Sequence, residues 1–480
     1  MAQDTGQLRT IQRAFKTELA PSRTQARALG RAAGAARFVY NKALTLCHEV
    51  REKGDNIPSS QDLNRQLTTW KSDPELSWLY EVPNMMLQEE FRNLASAYKN
   101  ARRRWREGKR GREVGWPRFK SRRRDTGAFT LRGSIRVEEG RVKLPWAKAG
   151  GELGWVKLKE RGYLPEGYYS YSGARSCWDG NVRVTAATIS ERAGRWFVSL
   201  QAEVRCAEPE LPSGEPIGID VGTSRLATSS DGEMIENPRA LRRAEERLRR
   251  VQRQASRRMA NHLVAYRGTQ KVGEARKTER GDSWECWLED RSAEGAAPTL
   301  KTARRWLLEN AGTKTIKEEL LPGSSLSGQC RKTHRRVAKL HYRVASIRSN
   351  AIHQATHLLV VDKGPAAVGV ESLNVKGMMQ NRRMAKSLAD ASMSEFLRQL
   401  KYKAEWNGIE VVAADQWFAS TQTCSECGWR REGEEKVGLS DRILRCPACG
   451  YTGDRDVNAA RNLRDVAAKR AETLNASGGR

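Results

Sequence analysis

No apolar run in this 480-residue chain approaches the ~18–20 residues that span a bilayer as a helix, which excludes a helical membrane protein. The opening stretch, MAQDTGQLRTIQRAFKTELA, lacks the apolar centre of a secretory signal, so the protein is expected to stay inside the cell. Acid is scarce: 57 Asp+Glu stand against 86 Lys+Arg, a formal net charge of +29. Cysteine numbers nine, an odd set for disulfides, and four of the nine stand in two tight pairs. That usage excludes a simple disulfide framework and points to metal binding in a reducing compartment.

What the chain does have is positive charge. An excess of this size holds a polyanion by releasing its counterions, and nucleic acid is the expected partner ahead of a ribosomal or membrane-surface role. The length allows two to four domains.

Residues 9–20 read as an edge strand. Pro21, Ser22 and Thr24 then start a run of good helix formers, and a second helical stretch follows Pro83, with Leu87, Phe91, Leu94, Ala95 and Tyr98 on its core face. Between Arg102 and Arg124, twelve Lys/Arg meet two Glu, with Trp105, Trp116 and Phe119 interleaved. Such aromatics stack on bases or sugars, so this run is assigned to nucleic-acid contact rather than to a merely solvated face. From 126 to 205 the pattern turns to period-two alternation, for example Val198, Leu200, Ala202 and Val204, and predicts a small β-barrel. The first strand (1–20) joins this barrel, leaving 21–125 as a helical insertion. A Pro/Gly linker at 206–216 is the domain boundary. The part from 217 to 480 alternates buried strands with helices, the order of an α/β domain with one mixed sheet. Two basic helices there, with Leu241, Leu248 and Ala255 on one and Val337, Val344, Ala351 and Leu358 on the other, each bury a single stripe and form a hairpin. Residues 259–330 are an insertion at its tip, expected to carry one or two helices, of unknown role.

Cys424-x-x-Cys427 and Cys446-x-x-Cys449, eighteen residues apart and each followed by glycine, have the spacing of a four-cysteine zinc ribbon at about 418–452. Four thiolates fill a tetrahedral shell, so this Zn2+ is structural. Cys47, Cys177, Cys206, Cys286 and Cys330 stand apart and read as inert thiols; His353 and His357 read as ordinary helix residues. Three acids have a different placement. Asp220 ends the strand IGID, Glu371 ends AVGVE, and Asp456 opens the last helix. The α/β order brings the three to one sheet edge, where they would bind two Mg2+ about 4 Å apart and drive in-line attack of water on a phosphodiester. Asp454 competes with Asp456 for the third position, with a helix cap or a local ion pair as its other role. Arg455 and Asn458 read as supporting or phosphate-facing groups.

In this order, GIDVGTSRLATSSDG, GVESLNVKGM, CSECG…LRCPACG and DRDVNAARNL resemble the split RuvC nuclease domain of TnpB proteins and compact type V CRISPR effectors. The likeness extends upstream through GAARFVYNKAL, LQEEFRNLASAYKN and GWPRFKSRRR. It implies a multidomain α+β protein: an RNase H-like (RuvC) α/β nuclease domain with an inserted zinc ribbon, and an N-terminal wedge-type β-barrel carrying a helical recognition lobe. It further implies a guide RNA that pairs with target double-stranded DNA beside a short flanking motif, with Asp220, Glu371 and Asp456 as the catalytic set. The 259–330 insertion and the overall length exceed the usual TnpB pattern and favour a miniature CRISPR effector, with TnpB next. An RNA-guided DNA-binding regulator that does not cut is the alternative. The expected protein is a cytoplasmic, nucleoid-associated monomer of a prokaryote, with no membrane partner.

Overall fold

The computed structural model describes residues 8–121, 127–146, 153–161, 182–209, 212–259, 262–278, 283–313, 315–319, 328–433, 436, 438 and 441–476, so Cys177 lies outside the described residues. The chain divides into two compact units, Met1–Glu208 and Pro209–Arg480.

The first unit starts with β1 (Leu8–Ala20), followed by α1 (Arg23–Glu52), α2 (Ser60–Ser72) and α3 (Asn84–Arg106). Ser22 caps α1 in a reciprocal capping box with Gln25, as the sequence suggests. The buried face of α3 includes Leu87, Phe91, Leu94 and Tyr98, together with Met86, Glu89, Glu90 and Ala101. Ala95 is exposed: the buried face is turned toward Met86, Glu89 and Glu90, and position 95 falls beyond its other edge. The unit is completed by β2 (Ala128–Arg132), β3 (Arg136–Glu138), β4 (Arg141–Lys143), β5 (Trp155–Leu158), β6 (Val182–Arg192) and β7 (Arg195–Ala207). All seven strands form one antiparallel sheet in the order β2-β6-β7-β1-β5-β4-β3. Strand β1 is therefore central rather than an edge. Its edge-like sequence has a physical cause. It pairs with β7 from Leu8 to Leu19 but with β5 only at Leu19 and Ala20, so most of its length has one bonded side.

The second unit opens with β8 (Ile217–Asp220), β9 (Arg225–Ser229), β10 (Met234–Glu236) and α4 (Ala240–Met259). The 259–330 stretch adds β11 (His262–Arg267), β12 (Gln270–Lys277), β13 (Trp284–Leu288), β14 (Glu294–Ala297), α5 (Leu300–Asn310) and β15 (Thr315–Glu319). This is an antiparallel sheet in the order β14-β13-β12-β11-β15 with one helix on it, where the sequence suggested helices alone. Leu263, Ala265, Ala275, Trp284, Cys286 and Leu307 form its own core. Its other face mixes apolar Val264 and Trp287 with polar His262, Glu274 and Arg276, which blurs the strand alternation. Next come α6 (Gly328–His357), which packs on α4 through Leu248 and Val344, then β16 (Ala367–Val370), α7 (Val375–Met378), α8 (Arg382–Ala391) and α9 (Met393–Trp406). The chain ends with β17 (Glu410–Ala413), β18 (Ile443–Arg445), β19 (Thr452–Asp454) and α10 (Arg455–Ala476). No helix among the described residues is long and apolar enough to cross a membrane.

The central sheet runs β10-β9-β8-β16-β17, with β8, β16 and β17 parallel and the β8-β9-β10 meander antiparallel. Strand residues alternate between its two faces. Ile217, Ile219, Val368 and Val370 face a core with Leu359 of the turn after α6 and with Phe396 and Leu400 of α9. Burial of each such side chain contributes roughly 1.5–3 kcal/mol. Gly218 and Gly369, paired in register, face α10 on the other side. A Cβ on Gly218 would stand 2.9 Å from the carbonyl carbon of Ala460 and overlap its oxygen; one on Gly369 would stand 2.7 Å from the carbonyl carbon of Leu463. The helix meets the sheet with Ala459, Ala460, Leu463 and Ala467, all fully buried. Two glycines against an alanine-rich helical face let α10 lie closer than any larger pair permits.

Candidate active site and metal centre

The close packing of α10 positions the acids. Asp220 lies two residues beyond Gly218, and Glu371 two beyond Gly369, so by the same alternation both carboxylates share the α10 face. Both stand at the carboxyl ends of parallel strands. Ala460, Leu463 and Arg464 cover the glycines, and Asp456 lies one helical turn ahead of Ala460 at the start of the helix. Asp220 feels the other two acids electrostatically, although the three carboxylates do not draw together as closely as the four cysteine sulfurs do. Its carboxyl is pushed up to about 7, chiefly by burial, then by the negative charges of Glu371 and Asp456, with Arg455 opposing and Asp454 adding.

The other acids are held individually. Ser420 donates its hydroxyl to Glu371 Oε1 at 2.5 Å. Asp456 is buried, at 8% exposure, and its Oδ1 accepts from Arg455 Nη2 at 3.1 Å. Its Oδ2 lies 3.4 Å from Arg442 Nη1 and 3.6 Å from Arg225 Nη1. Asp454 caps α10: its Oδ1 accepts from the backbone N–H of Asp456 at 2.9 Å and of Val457 at 3.2 Å, while Oδ2 takes Arg225 Nη1 at 2.8 Å. These bonds hold the Asp454 carboxyl below its ordinary range even though burial works to raise it.

The four-cysteine centre is built from two equivalent knuckles. In one, Gly428 N–H donates to Cys424 O and Cys424 N–H to Trp429 O; in the other, Gly450 donates to Cys446 O and Cys446 to Tyr451 O. Gly428 and Gly450 take φ of +75° and +74°, which side chains resist. All four sulfurs lie within 4.8 Å of one another, with Cys424–Cys449 at 3.7 Å and Cys427–Cys446 at 3.6 Å. Tetrahedral Zn–S bonds of about 2.3 Å require S···S of about 3.8 Å, so the set fits a structural zinc. Among the described residues it is the only group of three or more His, Cys, Asp or Glu with ligand atoms that close; His353 and His357 belong to none. Burial pushes the thiols of Cys47 and Cys286 up to about 11, in keeping with inert core cysteines.

The centre is tied to the acid-bearing helix. Asn458, which the sequence suggested as a supporting or phosphate-facing group, is fully buried with both ends of its amide engaged by the ribbon: Oδ1 accepts from Ser425 N–H at 2.8 Å and Nδ2 donates to Thr423 O at 2.7 Å. Asn462 Nδ2 donates to Ser420 O at 2.8 Å. Sequence reasoning missed Ser420, Arg225 and Arg442 as neighbours of the acids. All three are distant in sequence from the carboxylates they touch, and no local spacing signals them.

Among family models, "Cas12f1-like, TNB domain" matches residues 394–463, "Probable transposase" 197–284 and "Helix-turn-helix domain" 11–56. The last segment is here the end of a long strand followed by one helix. A "Putative RNA-guided DNA endonuclease" of Streptomyces pristinaespiralis is 30% identical over 458 residues, covering 95% of this chain and 89% of the relative. "Putative RNA-guided DNA endonuclease InsQ" of Escherichia coli is 27% identical over 467 residues, covering 94% and 91%. "CRISPR-associated endodeoxyribonuclease Cas12f1" of Sulfoacidibacillus thermotolerans is 27% identical over 161 residues, covering 32% and 36%. Likeness at this level over nearly the whole of both chains identifies the lineage: the protein belongs to the TnpB-like family of compact type V effectors.

Proposed function

We propose that this chain is an RNA-guided DNA endonuclease of the TnpB and miniature type V kind, hydrolysing phosphodiester bonds of guide-matched DNA at Asp220, Glu371 and Asp456. The observation that carries the reading is the electrostatics of Asp220: a carboxyl held up to about 7 by burial and by two further acids is a donor set that gains from divalent cations. The hard oxygen donors suit Mg2+. Bound there, Mg2+ would supply an activated water and charge stabilisation for the scissile phosphate. Ser420 fixes the rotamer of Glu371, and Asp454 caps the helix that carries Asp456. Arg225, Arg442 and Arg455 place positive charge around Asp456.

The finer architecture follows the same reading. A sheet order of 3-2-1-4-5 with the third, second and first strands as a meander supports an RNase H-like (RuvC) domain spanning 217–480, with the ribbon at 418–452 inserted. In the first unit, only residues 133–135 link β2 to β3, the two ends of the strand order. A flat seven-stranded sheet would set them roughly 29 Å apart, and three residues span at most about 14 Å between strand ends, which supports a curled wedge-type barrel of 1–20 and 126–205. The helices of 21–125 form the recognition lobe, where Trp105, Trp116 and Phe119 are 53%, 41% and 45% exposed among the basic residues and suit contact with guide RNA or DNA. The transposase model favours the transposon-encoded branch over the CRISPR one.

The test is Asp220→Ala in the RNA-loaded protein. Cutting of guide-matched DNA in Mg2+ is abolished while RNA and target binding persist; retained cutting refutes the assignment. Sequencing the RNA that co-purifies decides the branch, transposon-end RNA for TnpB and repeat-derived RNA for a CRISPR effector.

A further inference from the structure

We propose that Trp417 is a stacking platform that positions a base of the single strand entering the acid cleft; the inference rests on the nuclease reading and deepens it. Trp417 is 82% exposed, more than any other large apolar side chain among the described residues. An indole that open gains nothing from the fold. Its backbone, by contrast, is fixed. The Trp417 N–H donates to Asp415 Oδ1 at 2.8 Å, and the Phe418 N–H to Asp415 O at 3.0 Å, so the side chain is presented on a built turn.

Both flanks of that turn are anchored to the acids. On one side, Ala414 N–H donates to Val370 O, and Ser372 Oγ donates to Ala414 O at 2.7 Å, which binds the end of β17 to the residues around Glu371. On the other side, Ser420 donates to Glu371 itself, and Asn462 of α10 holds the Ser420 carbonyl. Trp417 is three residues from Ser420, within about 10 Å of chain reach. Its neighbour Gln416 lines a cavity of about 390 Å3 together with Glu371, Asn374 and Lys401. The cavity thus brings an acid and a lysine together, and the exposed indole stands on the residue that follows Gln416 of its lining. A nucleic-acid strand has the matching parts: a phosphate for the cation and a base with a π-face for the indole. The geometry suits an unpaired strand, because a base inside a duplex keeps its faces covered by its neighbours. Phe418, at 36% exposure, adds apolar surface beside the indole.

The experiment uses the full chain loaded with its own guide RNA. Target DNA carries 2-aminopurine at successive positions of the cleaved strand, with Ca2+ replacing Mg2+ so that nothing is cut. Stacking on Trp417 quenches one position. Trp417→Ala abolishes that quench, weakens loading of the strand between about 5- and 150-fold, the range expected for one base–aromatic stack, and raises KM for cleavage more than it lowers kcat. Trp417→Phe restores most of the quench and the KM. Unchanged fluorescence and unchanged KM in Trp417→Ala overturn the proposal, as does a loss that Phe does not rescue. The fluorescence needs no cutting. A wild-type protein that never cuts but quenches through Trp417 therefore overturns the nuclease reading and leaves the stacking intact.

Discussion

Replacing Gly218 by alanine tests how the site is assembled without touching an acid. The new methyl would lie 2.9 Å from the carbonyl carbon of Ala460, against the 3.4 Å at which ordinary contact begins, and nearer still to the oxygen. The partner is helix backbone, which cannot rotate away as a side chain can. Helix α10 must therefore retreat by more than the half-ångström that separates those two distances. Two consequences follow. Overpacking at such a contact costs about 1–3 kcal/mol, a fall of roughly 2–10 °C in the melting of the second unit. Moving Asp456 against Asp220 and Glu371 by about 1 Å costs on the order of 100-fold in cutting rate. The assay is a thermal melt followed by multiple-turnover cleavage of guide-matched DNA, with Gly34→Ala as the melting control, since a methyl there meets nothing within 4 Å. A Gly218→Ala protein that melts and cuts like wild type refutes the close-packed placement of the third acid.

Two further outcomes are expected. The Asp220 carboxyl is raised from 3.8 to about 7, so the folded chain without metal binds that proton more tightly than the unfolded chain does. Stability in EDTA then falls as pH climbs from about 4 through 7, by on the order of 4 kcal/mol at 1.36 kcal/mol per unit. Asp220→Asn removes the loss, and denaturant melts of both proteins at pH 4.5 and pH 8 check it; an equal difference at both pH values refutes it. Cys446→Ser lowers the zinc content of the purified chain and lowers cutting with it, because Asn458 and Asn462 hang the start of α10 on the ribbon; full activity in zinc-free protein would show that the ribbon does not support the acid.

Much of the candidate site was legible in the sequence because its pattern is written in local spacing. Two C-x-x-C pairs with glycine behind each specify knuckles whatever the rest of the chain does. Acids at strand ends can be located by the apolar runs that precede them. What depends on approach between distant elements was not legible. Nothing in IGID or AVGV announces that Gly218 and Gly369 meet in register beneath Ala460 and Leu463. The sequence suggested a local cap or ion pair for Asp454, and the folded helix end displays the cap, but its cationic partner is the distant Arg225. The central position of β1 was hidden because its second partner touches it at two residues. The strands of the insertion were hidden because their second face mixes apolar Val264 and Trp287 with His262, Glu274 and Arg276, which blurs the alternation of apolar and polar residues.

The insertion has its first and last strands side by side. His262 of β11 pairs with Glu319 of β15, so the polypeptide enters and leaves this sheet through neighbouring positions. The chain arrives from α4 and goes on to α6, which lie against each other. A genetic splice across that doorway would shorten the gene by some sixty codons and leave a plain helical hairpin behind. The same topology lets the extra sheet be gained or lost whole, without breaking a strand of the central sheet.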